Sequence, residues 1–208
     1  MSYKTQCFSN LLNSQNANTF AVTMCKAPAL KPQDVLVVCK LWCLGSSEWT
    51  YSKLADSLEI SVSEVHEAIK RCRLAQLVTS AREVPMVSKK HFFDLLSVAV
   101  PRIFFAARGG IESGSPTSVH APSLMATFDG IKSIPLKDIF PTVWPHPDGT
   151  MRGETLMPIY PTAAEAARKD DALYELLALV DVIRIGDVKY KKKATDLLEK
   201  KIFGKTMD

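Results

Sequence analysis

The sequence predicts a mainly α-helical fold with a small amount of β structure. Apolar residues recur at helical three- and four-residue steps over residues 31–74, and again from Thr162 onward. Between these regions, closely spaced proline and glycine residues exclude long helices and favour short extended segments. The chain has 208 residues, of which 47% are hydrophobic and 23% charged, so a sizeable buried core is expected.

The first helix is predicted in the stretch PQDVLVVCKLWCLG, which begins at Pro32. Proline is suited to the first turn of a helix, because its missing N–H is not needed there. The apolar residues from Val35 to Leu44 form a wide stripe, and Gly45 is placed to end the helix. We therefore expect a helix with a broad buried face.

A short helix and then a longer one are predicted next. Residues 51–58 are amphipathic, with Thr50 as the expected N-cap. After a brief turn, Ser61 precedes another apolar pattern, and Glu64 follows three residues later, which is the spacing of a capping box. The buried stripe of this third helix is expected to contain Val65, Ala68, Ile69 and Cys72.

A β-hairpin is predicted directly after the third helix. Residues 77–79 (Leu-Val-Thr) are a short strand, and Val84, Met86 and Val87 form its return, with residues 80–83 at the tip. The order of helix, short helix, turn, longer helix and hairpin is that of a helix-turn-helix followed by a wing.

Residues 31–90 resemble the winged helix-turn-helix domains of the MarR-like transcriptional regulators. The resemblance rests on WTYSKLADSLEISVSEVHEAIKRCRLAQLVTSAREVPMV, which has an alanine-containing second helix, a serine-capped third helix and a strand opening with Leu-Val. It implies that residues 31–90 are a DNA-binding domain, flanked by an N-terminal arm or helix (1–30) and a regulatory and dimerisation region (91–208). Two features depart from the family: Gln76 replaces a frequent glycine, and the wing tip lacks glycine.

The exposed face of the third helix is the predicted DNA-reading surface. Residues in the first half of a recognition helix contact base edges, and later cations contact phosphates. We expect Ser63 and His66 to contact bases, Lys70, Arg71 and Arg73 to contact phosphates, and the wing to add further cations. The full set of predicted DNA-binding residues is Ser61, Ser63, His66, Glu67, Lys70, Arg71, Arg73, Arg82, Lys89 and Lys90.

Charge is distributed unevenly along the chain. The net charge is +2 for residues 1–50, +2 for 51–93, −3 for 94–186 and +3 for 187–208. The positive net charge of residues 1–93 and 187–208 is typical of a protein that contacts a polyanion. Glu67 does not favour this interpretation, because a carboxylate near DNA is repelled unless it accepts a hydrogen bond from cytosine. The alternative is a helix-turn-helix used only for packing or protein contact.

The second half is predicted to be an irregular α+β segment followed by C-terminal helices. Ile103 to Ala106 is expected to be a buried strand, and residues 108–122 a turn-rich loop. We expect residues 94–186 to form an ordered regulatory or partner-binding surface around Arg108, His120 and Trp144. A strong helix is expected from Thr162, interrupted by Gly186 and followed by a basic last helix.

The sequence shows no pattern typical of an enzyme or a metal site. The five cysteines form no CxxC pair, the histidines are scattered, and neither a P-loop nor a serine nucleophile motif is present. No signal peptide is expected, and the apolar stretch Leu173–Ile185 is too short and too charged to span a membrane. We therefore expect a cytoplasmic protein without cofactor, metal or membrane contact.

The functional expectation is a sequence-specific regulator that binds double-stranded DNA, as a homodimeric repressor. Dimerisation is expected because one recognition helix reads only a few base pairs, whereas a two-fold pair reads a palindrome. The alternative is a protein-interaction module, such as an antitoxin, that binds a partner protein through residues 94–186 and regulates its own synthesis.

Overall fold

The fold is mainly helical with two small β sheets, as the sequence predicts. The computed structural model describes residues 28–79, 86–131, 137 and 139–204. Of the predicted N-terminal arm (1–30), only the last three residues lie within these ranges. The predicted hairpin tip, which includes Arg82, lies outside them. Within the described ranges, none of the helices combines the length and apolar character that a membrane span requires.

The first helix, α1 (Pro32–Leu44), is buried over eight consecutive residues, 34–41. It starts with proline in its first turn and ends at Gly45, whose φ of 56° lies in the region that favours glycine. Burial on all sides means that α1 is an interior helix rather than one with a single apolar stripe, because other helices cover both of its faces.

Helix α2 (Tyr51–Leu58) has the predicted bounds, and both α2 and α3 (Val62–Leu74) have the predicted N-caps. The Thr50 hydroxyl accepts a hydrogen bond from the Lys53 N–H at 3.2 Å. Ser61 and Glu64 form the predicted capping box: the Glu64 N–H donates to the Ser61 hydroxyl, and the Ser61 N–H donates to the Glu64 carboxylate. The predicted buried stripe of α3 is confirmed as Val65, Ala68, Ile69 and Cys72.

Strands β1 (Val78–Thr79) and β2 (Met86–Val87) pair antiparallel, with Val78 opposite Val87. The chain then enters a continuous helical stretch made of α4 (Lys89–Asp94), a π-helical segment (Leu95–Ala99) and α5 (Val100–Ile103). Pro101 lies in the first turn of α5, where its missing N–H is tolerated, and α5 ends at Ile103.

The predicted buried strand at residues 103–106 is wrong. Ile103 is the last residue of α5 and is 63% exposed, while Phe105 in the following coil is 70% exposed. Apolar character alone favoured burial there, but the helix that starts at Lys89 extends through Ile103 and leaves this corner on the surface.

The predicted loop at residues 108–122 is also wrong, because most of it is a strand. β3 (Arg108–Pro116), β4 (Thr142–Pro145) and β5 (Met151–Leu156) form a small closed barrel. β3 is antiparallel to both neighbours, and β4 and β5 are parallel to each other. Glycine permits the close packing: a Cβ on Gly114 would lie 2.1 Å from the Trp144 carbonyl oxygen.

Four further helices complete the described chain. A 3-10 turn (Ser118–His120) leads into α6 (Pro122–Phe128), and α7 (Ala163–Arg168), α8 (Asp171–Ile185) and α9 (Val188–Phe203) follow the barrel. The single helix predicted from Thr162 is divided into α7 and α8 at residues 169–170, and the predicted interruption at Gly186 is confirmed.

Helix α8 is the centre of the hydrophobic core. Leu176 and Val180, on its predicted apolar stripe, are 0% and 1% exposed within the single chain. α8 packs against α1, so residues on both sides of position 90 share one core. Lys40 on α1 forms an ion pair of 2.7 Å with Asp170 at the start of α8. The domain boundary at residue 90 stays a prediction.

Candidate nucleic-acid interface

The exposed face of α3 contains five of the residues predicted to bind DNA. Burial of the opposite stripe turns this face outward, since residues three and four apart share one side of a helix. Its solvent-exposed members are Ser63, His66, Glu67, Lys70 and Arg73. The structure therefore brings these side chains together on one accessible surface.

Ser61 is committed to the helix terminus rather than to this surface. Its hydroxyl accepts the Glu64 N–H at 3.2 Å and lies 2.8 Å from a Glu64 carboxylate oxygen and 3.0 Å from the Ser63 hydroxyl. Hydrogen bonds from the Ser61 N–H and hydroxyl lower the pKa of Glu64. Glu64 is thus held as a carboxylate that caps the helix, where the helix dipole favours a negative charge.

His66 is held in position by an aromatic neighbour. Its imidazole stacks on the Tyr51 ring with centroids 3.7 Å apart and an interplanar angle of 7°. Tyr51 is the first residue of α2, so the stack links the two helices on the solvent side. A stacked ring loses little rotational freedom on binding, and its polar edge remains available to a ligand. The sequence pattern did not identify this role of Tyr51.

The two charged residues at the middle of the face compensate each other. The Lys70 Nζ lies 3.6 Å from a Glu67 carboxylate oxygen, and both side chains are more than half exposed. An exposed pair of this kind contributes little to stability and can exchange partners readily. Lys70 can therefore leave Glu67 for a phosphate without breaking a buried interaction.

Arg71 departs from its predicted role. Its Nε and Nη2 donate to the two carboxylate oxygens of Asp34, at 2.7 and 2.6 Å, and its side chain is only 10% exposed. The hydrogen bonds that Arg71 donates to Asp34 raise the pKa of Arg71. A guanidinium engaged bidentately with a buried carboxylate is not presented to a phosphate, so Arg71 joins α3 to α1 instead.

The sequence contained one signal for this pair. Asp34 lies within the apolar stretch of α1, where a carboxylate needs a cationic partner if the helix is buried. Which cation would supply it could not be read from the sequence, because the partner lies 37 residues away.

Lys89 and Lys90 extend the exposed cationic surface beyond α3. Both are exposed at the start of α4. This start is fixed to the end of α3, because the Ser88 N–H donates to the Leu77 carbonyl at 2.8 Å and the His91 Nδ1 contacts the Gln76 carbonyl at 2.9 Å. Arg73 and the two lysines therefore border one end of the helix, and Arg82 lies outside the described residues.

The other end of α3 is fixed by the chain that follows the barrel. The Thr162 hydroxyl donates to the Leu58 carbonyl at 2.7 Å, and Lys169 forms an ion pair with Glu59. Glu59 occupies the turn between α2 and α3 in the left-handed region, at φ 54°. These contacts hold the turn, and hence the direction of α3, against the second half of the protein.

The predicted surface around Arg108, His120 and Trp144 is not assembled. Arg108 is exposed and pairs with Glu154 at 2.5 Å, whereas His120 is buried and accepts a hydrogen bond from the Thr142 N–H at 3.3 Å. Trp144 is also buried, and its indole N–H donates to Asp181 at 2.7 Å. His120 and Trp144 are thus buried and only Arg108 is exposed, so the three residues do not form a common surface.

Asp181 is the centre of a buried polar network. It accepts hydrogen bonds from the Thr117 hydroxyl, the Trp144 indole and Arg184, the last at 2.6 Å. Burial raises the pKa of Asp181, while Arg184 and the other donors oppose that shift. The Arg184 guanidinium also donates to the carbonyl oxygens of Phe104 and Phe105. The network joins α8 to the barrel and to the end of α5.

The cysteines of the described chain are packed rather than reactive. Burial raises the pKa of Cys39, and raises that of Cys43 and of Cys72 to about 12. Thiols with raised pKa values are protonated and poor nucleophiles at neutral pH. In the described parts of the chain, no group of three or more His, Cys, Asp or Glu residues is placed to hold a metal ion.

The chain matches no protein-family model, no curated protein and no solved structure.

Proposed function

We propose that residues 31–90 are a winged helix-turn-helix DNA-binding domain, and that the protein is a sequence-specific, homodimeric transcriptional repressor. The observation that supports this proposal best is the exposed face of α3, where His66, Lys70 and Arg73 lie opposite a fully buried stripe. Lys89 and Lys90 are exposed at the start of α4, which is hydrogen-bonded to residues 76 and 77 just after α3. A helix of this kind fits the major groove of DNA.

The residues divide into two roles. Ser63 and His66, in the first half of α3, read base edges, and the stack on Tyr51 fixes the imidazole for this purpose. Lys70, Arg73, Lys89 and Lys90 contact phosphates, and Arg82, which the sequence predicts at the hairpin tip, adds a further cation.

Glu67 and Arg71 take other roles in this proposal. Glu67 releases Lys70 on binding and accepts a hydrogen bond from a cytosine amino group. Arg71 holds α3 on α1 and contacts no phosphate.

The test is binding to DNA by the full chain. Duplexes selected from a random-sequence pool by the wild-type protein serve as probes, and affinity is measured by fluorescence anisotropy at several salt concentrations. Lys70→Ala combined with Arg73→Ala removes two phosphate contacts. We expect weaker binding to every duplex and a salt slope lower by about two, since each phosphate contact contributes roughly 0.9.

A matched control removes the same charge elsewhere. Lys192 and Lys193 are exposed on α9, so Lys192→Ala combined with Lys193→Ala changes net charge equally without touching α3. Unchanged binding by the control supports the α3 surface. Equal losses from both double variants would mean that total charge, not α3, holds the DNA, and would contradict the proposal.

A second candidate function is the protein-interaction module, such as an antitoxin. The observation in its favour is the exposed apolar corner at Ile103 and Phe105 within residues 94–186, since surfaces of this kind mark protein interfaces. Copurification of one partner protein in fixed ratio, together with no selection of any duplex from the pool, would favour this candidate.

A further inference from the structure

An apolar groove of about 490 Å³ opens beside the end of α3. Its walls come from the residues that follow α3, from α4 and from the π-helical segment after α4. The apolar residues that line it are Leu30, Ala75, Leu77, Leu95, Val98 and Ala99. π-Helical segments are rare and are frequently found at functional sites. Val98 on this segment is 50% exposed, so the groove leaves apolar surface in water that another element can cover.

The described chain begins at this groove. Pro28 is its first residue, and Leu30 is half-buried and lines the groove itself. Phe20 precedes Leu30 by ten residues, and a connection of that length spans at most about 35 Å. Residues 20–26 are therefore tethered within reach of the groove. A tethered segment is present at a high effective concentration, which favours it over a separate partner protein.

The sequence of this segment matches the apolar walls of the groove. Residues 20–26 read Phe-Ala-Val-Thr-Met-Cys-Lys. Along an extended chain, alternate side chains lie on the same side. Phe20, Val22 and Met24 would therefore form one continuous apolar edge, and this edge is complementary to the apolar lining of the groove.

The charges at the groove are complementary as well. Asp94 is the acidic residue that lines the groove, and it is exposed. Within the described ranges, Asp94 takes part in no ion pair. Lys26 follows the apolar edge and lies four residues before Leu30. A pair between Lys26 and Asp94 would contribute little to stability, but opposite charges fix the register of a bound segment.

We infer that residues 20–26 of this chain lie in the groove of the same chain. Phe20, Val22 and Met24 contact its apolar walls, and Lys26 lies beside Asp94. Because the groove is formed by residues after α3 and by α4, the docked segment also joins these two elements. The inference concerns a contact within one chain and does not rest on the proposed function.

The experiment measures how well Met24 is protected from oxidation in the full chain without DNA. Hydrogen peroxide converts methionine to its sulfoxide, and mass spectrometry of peptides gives the rate at each position. Met157, which follows β5 and is 49% exposed, is the internal reference. We expect Met24 to be oxidised about fivefold more slowly than Met157, since burial in the groove excludes the oxidant.

A polar substitution in the groove wall should release the segment. Val98→Asn places an amide against the apolar edge, where it has no hydrogen-bond partner from that edge. We expect the oxidation rate of Met24 to rise to about that of Met157. Val188→Asn is the matched control, because Val188 is 83% exposed on α9 and does not line the groove; it should leave Met24 protected. Circular dichroism verifies that both variants are folded.

A charge reversal tests the register. Lys26→Glu places a second carboxylate beside Asp94, and we expect the oxidation rate of Met24 to rise about twofold, since an exposed pair is weak. Combining it with Asp94→Lys restores opposite charges and should restore the protection. Lys53→Glu, at an exposed position on α2, is the control for the change in net charge.

The outcomes separate docking within one chain from the other possibilities. Protection of Met24 that is unchanged on dilution supports the inference. Protection that increases with protein concentration assigns the groove to a second copy and contradicts it. Oxidation of Met24 as fast as Met157 in the wild-type chain overturns the inference, and so does a folded Val98→Asn chain in which Met24 stays protected.

Discussion

Arg71 and Asp34 form a bidentate ion pair between α3 and α1, with the aspartate side chain fully buried. A shift of α3 along α1 would therefore break this pair and leave the buried Asp34 carboxylate without its cationic partner. The orientation of the proposed DNA-reading surface thus depends on a mostly buried ion pair at the border of that surface.

Removing Arg71 is expected to destabilise the fold. Arg71→Ala leaves the Asp34 carboxylate buried without its cation, and we expect the free energy of unfolding to fall by about 3–5 kcal/mol, as for other broken buried pairs. Urea denaturation followed by circular dichroism measures this change. Arg73→Ala, two residues away and exposed, serves as the control and should shift stability by less than about 0.5 kcal/mol. Equal, small losses from both variants would show that the pair has no such role.

Asp170 is expected to make stability depend on pH in the acid range. Burial raises its pKa, but hydrogen bonds from Lys40 and from the Leu173 and Ala172 N–H groups outweigh burial, so its pKa lies below the ordinary value of 3.8. A lowered pKa in the folded state means a contribution present above pH 3.8 and lost as pH falls through the folded value. Asp170→Asn should therefore flatten the acid limb of the stability curve.

Asp170→Asn also distinguishes the contribution of the Asp170 charge from that of its N-cap hydrogen bonds. Asparagine is a good N-cap, so Asp170→Asn keeps hydrogen bonds to the start of α8 while it removes the charge that pairs with Lys40. The exposed neighbour Asp171 provides the control, because Asp171→Asn also removes one carboxylate but leaves the pair of Asp170 with Lys40 intact. Identical pH profiles for wild type and Asp170→Asn would rule out this assignment.

Tyr51 is expected to influence DNA sequence preference through His66. Tyr51→Leu removes the ring on which the imidazole stacks, so His66 gains rotational freedom and discriminates bases less well. Tyr51→Phe keeps the ring and should behave as wild type. The ratio of affinities for the selected duplex and a scrambled duplex is the measurement. A ratio that does not respond to Tyr51→Leu would argue against base reading by His66.

Gly114 is expected to tolerate no side chain. A Cβ there would lie 2.1 Å from the Trp144 carbonyl oxygen, so Gly114→Ala must push β4 away from β3. We expect a loss of about 1–3 kcal/mol, the usual range for overpacking. Gly110→Ala on the same strand meets nothing within 4 Å and should leave the fold of the single chain nearly unchanged. Thermal unfolding compares the two, and equal midpoints would contradict the close approach.

Local features were predictable from the sequence, whereas features that depend on distant partners were not. The caps at Thr50 and Ser61 rely on residues three positions away, so short-range patterns identify them. β3 was missed because its partner β5 begins some forty residues later, and its Gly- and Ser-rich composition is typical of a turn. The exposed half of the strand has no alternation of buried and exposed residues that would mark it as β.

In the proposed DNA-reading surface, too, features set by local pattern were predictable from the sequence, and features set by a distant partner were not. Burial of the α3 stripe followed from periodicity, and it correctly placed Ser63, His66, Lys70 and Arg73 on the exposed side. Arg71 lies at the border of that face, where periodicity alone does not decide between solvent and core. In the structure the Arg71 side chain is mostly buried, because it pairs with Asp34, which lies 37 residues earlier in the chain.

The central position of α8 has a consequence for synthesis on the ribosome. Helix α8 covers part of the surface of α1. However, the residues of α8 (171–185) leave the ribosome long after those of α1 (32–44). The apolar surface of the first helix therefore stays accessible through most of translation, during which hydrophobic segments attract chaperones and each other. Nascent chains halted before Asp171 should consequently recruit holdase chaperones that the finished chain releases.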